Sequence, residues 1–205
     1  YEHGGGLCFV GGSLAVGKEG NAVGDIVQLD RYKSIESGIL DRHPLSEEKL
    51  RKVGEVLLSY NEGAKTVSIL AWACGCFLKE HLRMRGVKFP HLFLIGEAGS
   101  GKSTTLERVL LPIFSENRIL AATQVTAFTL MKESASSNIV PLPLDEFKPS
   151  KMDRMKIATL YNHFRDSYDG HEGVRGRADL SVVTYDLSAP LIVCGEESAE
   201  ETAIR

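Results

Sequence analysis

The stretch Phe93–Leu106, FLIGEAGSGKSTTL, constrains the fold more than any other part of the chain. An apolar run breaks into glycines, and Lys102, Ser103 and Thr104 follow at once. Gly96 to Ser103 has the spacing G-x-x-x-x-G-K-S. Glycines let a backbone fold so tightly that successive N–H groups converge on one point, and a helix starting there adds the positive end of its dipole. Such a turn is a cradle for phosphate, formed here by Gly96, Glu97, Ala98, Gly99, Ser100, Gly101, Lys102, Ser103 and Thr104. Lys102 is expected to reach the β- and γ-phosphates of ATP, and the Ser103 hydroxyl to ligate Mg²⁺. HLFLI before the turn reads as a buried strand and STTLERVLL after it as a helix, the context this motif requires.

A chain of 205 residues has room for one domain of ordinary size plus an appendage. With 43% hydrophobic and 25% charged residues it can build a core and is not disordered. The net charge of −3 argues against a surface coated for duplex binding and leaves room for a local basic loop. No run approaches the length of a membrane span and no charged-then-apolar leader opens the chain, so a cytoplasmic protein without a membrane partner is expected. Cys74 and Cys76 face different directions in a helical pattern, and no second pair with zinc spacing accompanies them. The chain starts at Tyr1 and stops inside the helix-like EESAEETAIR, which reads as an excised piece of a longer protein.

Three segments are expected. Residues 1–45 are glycine-rich with short apolar pieces, LCFVGG, SLAVG and DIVQL, which suit strands and turns. Residues 46–88 read as a helical hairpin packed on the next domain. Ser46 caps a first helix with Leu50, Val53, Leu57 and Tyr60 on one face. The second helix has Val67, Leu70, Ala71, Cys74, Phe77, Leu78 and Leu82 at spacings of three and four. Residues 89–205 alternate strand and helix, with helix 102–111 stopped by Pro112. A long helix there has Ser150 and Asp153 as a capping box and a stripe of Ile157, Leu160, Tyr161, Phe164 and Tyr168. Alternation of this kind means an α/β fold, a parallel sheet with helices on both faces; with the glycine motif it is expected to be of the P-loop NTPase type.

NIVPLPLDEF reads as a buried strand despite two prolines, and Asp145 and Glu146 stand at its end. Asp145 is expected to hold the Mg²⁺ shell with Ser103, and Glu146 to accept a proton from attacking water. Lys102, Asp145 and Glu146 are therefore the candidate catalytic residues.

GEAGSGKST, then PLPLDEF, a long helix, an arginine-bearing hairpin and a strand ending CGEES together resemble the AAA+ ATPases. More narrowly, residues 89–205 are similar to the helicase-like ATPases of prophages, plasmids and integrating elements, relatives of superfamily 3 and MCM helicases. The resemblance implies ATP and Mg²⁺ as cofactors, a homo-oligomeric ring (a hexamer in the helicases) and single-stranded DNA as partner. It also implies that the hairpin in GVRGRADLSVVTYDL grips DNA through Arg175 and Arg177; a surface hairpin whose arginines pair with Asp179 is the alternative. Where these ATPases carry an Asn or Thr sensor this chain has Gly195, Glu196, Glu197 and Ser198, which makes Glu196 the candidate sensor. Arg205 is a candidate arginine finger or an ordinary exposed helix residue. A nucleoside or small-molecule kinase would share the phosphate loop but normally shows an arginine-rich lid and no Asp-Glu pair after the third strand. A slow assembly switch need not keep Glu146 as a base.

Overall fold

Short apolar pieces separated by glycine pair with their neighbours in sequence. In the computed structural model, which describes residues 2–4, 6–11, 14–24, 45–176 and 180–199, β1 (Glu2–His3) pairs with β2 (Gly6–Leu7). β3 (Phe9–Gly11) pairs with β4 (Leu14–Val16), and both pairs are antiparallel. The expected strand DIVQL and the stretch RYKSIESGIL lie outside the described residues.

Two helices follow. α1 (Glu47–Ser59) starts where the Ser46 side chain accepts from the Lys49 N–H, and α2 (Gly63–Arg83) runs back beside it. The hairpin forms as expected, but its packing differs. α2 buries Thr66, Ile69, Trp72, Ala73 and Cys76, while Val67, Cys74 and Leu78 are exposed. The apolar residues of α2 nearly encircle it, so spacing alone left its rotation open. Trp72 settles it, donating from Nε1 to the Pro90 carbonyl at 2.8 Å. α1 buries none of its residues, and Leu50 and Val53 remain 55% and 45% exposed. Full burial of such a side chain stabilises by about 1.5–3 kcal/mol, against about 0.2–0.5 kcal/mol for an exposed helical ion pair. α2 therefore anchors the hairpin. α1 rests on its cap and on pairs such as Glu48–Lys52 at 2.8 Å.

β5 (Leu92–Ile95) leads through the glycine turn into α3 (Lys102–Thr105). The helix does not stop at Pro112. It continues through a π-helical turn (Leu106–Leu110) into α4 (Leu111–Ile113), because Pro112 has no N–H and the Leu111 N–H bonds to the Leu106 carbonyl instead. β6 (Leu120–Ala121) and α5 (Ala127–Ser134) precede β7 (Leu142–Phe147). Leu142 N donates to Pro190 O, so position 143 turns its missing N–H to the other side, where pairing with β6 begins only at Leu144. Pro143 therefore costs the ladder nothing on that side. A 3₁₀ turn (Pro149–Lys151) leads to α6 (Arg154–Asp169). Asp153 alone caps α6, accepting from the Lys156 N–H at 2.9 Å. Ser150, expected in the capping box, bonds elsewhere. β8 (Glu172–Gly176) and β9 (Val182–Asp186) form an antiparallel hairpin, and β10 (Leu191–Gly195) closes the structure.

The chain is α/β, with a four-stranded all-parallel sheet in the order β5-β10-β7-β6. Side chains alternate across its faces. Leu191 and Val193 pack with Leu130 of α5 and Leu160, Tyr161 and Phe164 of α6. Ile192 and Cys194 pack with Trp72 and Cys76 of α2 and with Leu106 and Leu110 on the other face. Helices thus cover both faces. Every residue of β10 is buried, as its uninterrupted apolar run requires. No helix among the described residues is long and apolar enough to cross a membrane.

Candidate functional site

Because all four strands run parallel, their carboxyl ends share one edge, and residues following β5, β7 and β10 meet there. The turn after β5 is shaped by glycine. Gly99 at φ 77° and Gly101 at φ 84° are left-handed, a conformation that costs other residues strain, and Gly101 is the N-cap of α3. These conformations let the chain turn back on itself, and the Ser100 N–H closes the turn by donating to the Glu97 carbonyl at 3.2 Å. At Gly96 a Cβ would come within 2.9 Å of Ser100 Oγ, so the loop also closes tightly on itself. Glu97, Ala98, Gly99, Ser100 and Thr104 are exposed. Lys102 folds back over the loop, donating from Nζ to the carbonyls of Gly96 and Glu97, each at 2.7 Å, and to Ser100 Oγ at 3.3 Å.

The carboxylates come from the end of β7. Val193 pairs with Leu144 but Gly195 with Phe147, so β7 carries one residue more than β10 over this interval. The extra residue makes a bulge, and Glu146 takes φ 61° within it. Bulges re-aim side chains. Asp145 is half-buried and Glu146 exposed, although β7 is otherwise buried. Ser103 Oγ donates to Asp145 Oδ2 at 3.1 Å, and the Glu146 N–H donates to Asp145 Oδ1 at 2.8 Å. Thr123, just past β6, donates to Glu146 Oε2 at 3.4 Å, and Lys156 Nζ bonds the Thr123 carbonyl at 2.7 Å. Burial, with the Asp145 charge nearby, pushes the Cys194 thiol up to about 12, so this cysteine is a core residue without thiolate chemistry.

β10 lies between β5 and β7, and its end falls between the glycine loop and the carboxylates. Gly96 N donates to Gly195 O at 3.2 Å. Glu196, the candidate sensor, is ion-paired with Lys148. Glu197 accepts from the Ser150 N–H at 2.8 Å and from its hydroxyl. Lys148 and Thr123 were not foreseen from the sequence, and Ser150 was expected in a helix cap; the only local signal was a lysine two places after Glu146.

Arg175 lies on β8. Its guanidinium stacks on the Phe128 ring at 3.7 Å, and Phe128 meets Tyr185 edge-on at 6.3 Å. Arg177, its alternative partner Asp179, and Arg205 lie outside the described residues. A cavity of about 550 Å³ opens at the other end of β10, next to Ser188; of the charged groups lining it, Arg83 pairs with Glu80 and Lys88 with Asp169, while Lys79 donates to the Ser188 carbonyl.

A divalent cation beside the glycine loop would draw on Ser103 Oγ and Asp145 Oδ2. These fit Mg²⁺, which keeps most of its positions for water and phosphate oxygens and needs only one or two protein oxygens. Among the described residues no group of three His, Cys, Asp or Glu side chains offers a fuller cage. No family model matches this chain, and no curated protein matches it.

Proposed function

We propose that this chain is a magnesium-dependent ATPase of the P-loop type and that it drives a motor moving along single-stranded DNA, in the manner of the helicase-like ATPases of mobile elements. The observation that carries the ATPase reading is the 3.1 Å bond from Ser103 to Asp145, which joins the start of α3 to the end of β7 across 42 residues of sequence. A hydroxyl just after the glycine loop and a carboxylate at the end of β7, across β10 from β5, would be the two protein oxygens that Mg²⁺–ATP needs. Mg²⁺ would neutralise charge on the phosphates. Lys102 would exchange the neutral carbonyls of Gly96 and Glu97 for phosphate oxygens, which are stronger acceptors of a charged donor. Glu146, exposed and held by Thr123, would take the proton of a water whose oxygen attacks the γ-phosphorus. The bond to the β–γ bridging oxygen breaks as the new one forms, leaving ADP and phosphate.

The motor reading rests on the order of motifs and on the exposed Arg175 hairpin. It also requires a neighbouring subunit. A finger supplied in trans contributes roughly 10³–10⁵ in rate where charge on the γ-phosphoryl must be offset. Specific activity of a ring-forming protein rises with concentration; activity flat across dilution, with monomers throughout, contradicts the ring.

Paired variants test the ATPase reading. Glu146→Gln is expected to keep ATP binding and to lose about 10²–10⁴ in turnover. Asp145→Asn is expected instead to raise the Mg²⁺ concentration needed for half-maximal activity. Turnover in Glu146→Gln within a few-fold of the unaltered protein rejects the assignment.

A further inference from the structure

Gly195 pairs with Phe147 in the sheet, and its carbonyl accepts from Gly96, the first residue of the glycine loop. The next residues along each strand, Glu196 and Lys148, therefore stand beside the mouth of that loop, and they form an ion pair there. Their shared hydrogen bond raises the Lys148 pKa and lowers that of Glu196, so both are charged at neutral pH. Glu197 clamps the adjoining backbone by accepting both the N–H and the hydroxyl of Ser150. The clamp steadies the main chain around Lys148, while its four-carbon arm keeps its freedom.

We infer that Lys148 contacts the terminal phosphate of a bound nucleoside triphosphate, with Glu196 as the counter-ion that holds it in place before the nucleotide arrives. The inference rests on the nucleotide reading above and goes beyond it by naming the residue that tells triphosphate from diphosphate. A carboxylate alone beside a γ-phosphate repels it; a lysine between the two anions turns that repulsion into attraction. Lys102 sits over the carbonyls of Gly96 and Glu97, from which it would turn to the phosphates, and Lys148 adds a second ammonium at the edge of the loop. The pair is open to exchange. The Lys148 and Glu196 side chains are 27% and 40% exposed, and a partly solvated pair is weak enough for a more highly charged phosphate to displace. This also accounts for GEES where a neutral Asn or Thr sensor was expected: the cation comes from β7, and β10 supplies its counter-charge.

Binding of Mg²⁺–ADP and of the Mg²⁺ complex of the non-hydrolysable β,γ-imido analogue of ATP tests this directly. In Lys148→Ala, affinity for the imido analogue is expected to fall about tenfold or more, the weight of a charged hydrogen bond, with ADP affinity essentially unchanged. Glu196→Gln frees the lysine and is expected to raise preference for the triphosphate, and Lys148→Arg is expected to retain it. Equal loss for both nucleotides in Lys148→Ala, with a lower melting temperature, would make the pair a structural brace and overturn the inference. So would an unchanged ratio in Lys148→Ala. If the unaltered protein binds neither nucleotide, the nucleotide reading itself fails and takes this role with it; if it binds both and only the ratio fails to respond, Lys148 alone is rejected.

Discussion

The carbonyl oxygen of Phe147 lies 2.0 Å from the point where a side chain at Gly195 would begin. β7 and β10 cross this closely because β7 bulges at Asp145 and Glu146, and the bulge is possible only against a residue with no Cβ. Gly195→Ala is expected to destabilise the fold by about 3 kcal/mol, since backbone on both sides cannot yield as a flexible side chain can. Chemical denaturation measures this. A loss under about 0.5 kcal/mol, the range of ordinary surface substitutions, would mean that the strands separate easily and that the bulge is not held by close approach.

Acid should weaken the fold before its carboxylates protonate. Burial lowers the pKa of His91 to about 4 and that of His163 to about 4, from an ordinary value of 6.5. His163 Nε2 bonds Ser134 Oγ at 2.8 Å, joining α6 to α5, and His91 Nε2 sits against the Phe164 carbonyl at 3.0 Å. Below pH 6.5 the unfolded chain takes up protons that the folded one refuses. Stability is therefore full above that pH and falls as pH drops from 6.5 towards 4. The salt-bridged carboxylates, with lowered pKa values, contribute their own loss only at lower pH. Denaturation midpoints at pH 7, 6, 5 and 4 are expected to decline steadily, with a shallower decline in His163→Gln. A flat profile down to pH 5 contradicts the burial of neutral imidazoles.

Uninterrupted apolar runs made the inner strands legible. LPL and LIVC could be nothing but buried strands, and the glycine spacing marked the loop between β5 and α3. What stayed hidden was whatever depends on elements meeting. The rotation of α2 is set by Trp72 reaching Pro90, a contact between segments whose apolar patterns are ambiguous alone. The apolar stripe of α1 predicted burial, but α2 occupies the place against the core. Ser150 has the spacing of a cap and instead serves Glu197, 47 residues away. Lys148 and Glu196 are 48 apart, and only the sheet register brings them together.

The stacking of Arg175 on Phe128 separates two roles for the hairpin. An exposed cation–π contact contributes about 0.5–1 kcal/mol, small enough for a phosphate backbone to compete for the arginine. If Arg175 grips a strand, Arg175→Ala is expected to weaken binding of a single-stranded oligonucleotide and to reduce the slope of log affinity against log salt by about 0.7 per lost contact. ATP affinity should hold, since the hairpin makes no part of the glycine loop. The same variant with unchanged DNA binding and a lowered melting temperature, matched by Phe128→Ala, would make the arginine a brace between β8 and α5.

Both the ATPase and the role of Lys148 require a nucleotide in the glycine loop under Lys102. Titration of the protein with Mg²⁺–ATP, in parallel with Lys102→Ala, measures this most directly. Saturable binding is expected in the unaltered protein, with an affinity loss of about tenfold or more in the variant, whose loop has lost its one ammonium between the carbonyls of Gly96 and Glu97. Equal affinity in the two proteins, or none in either while the fold is intact, would contradict it.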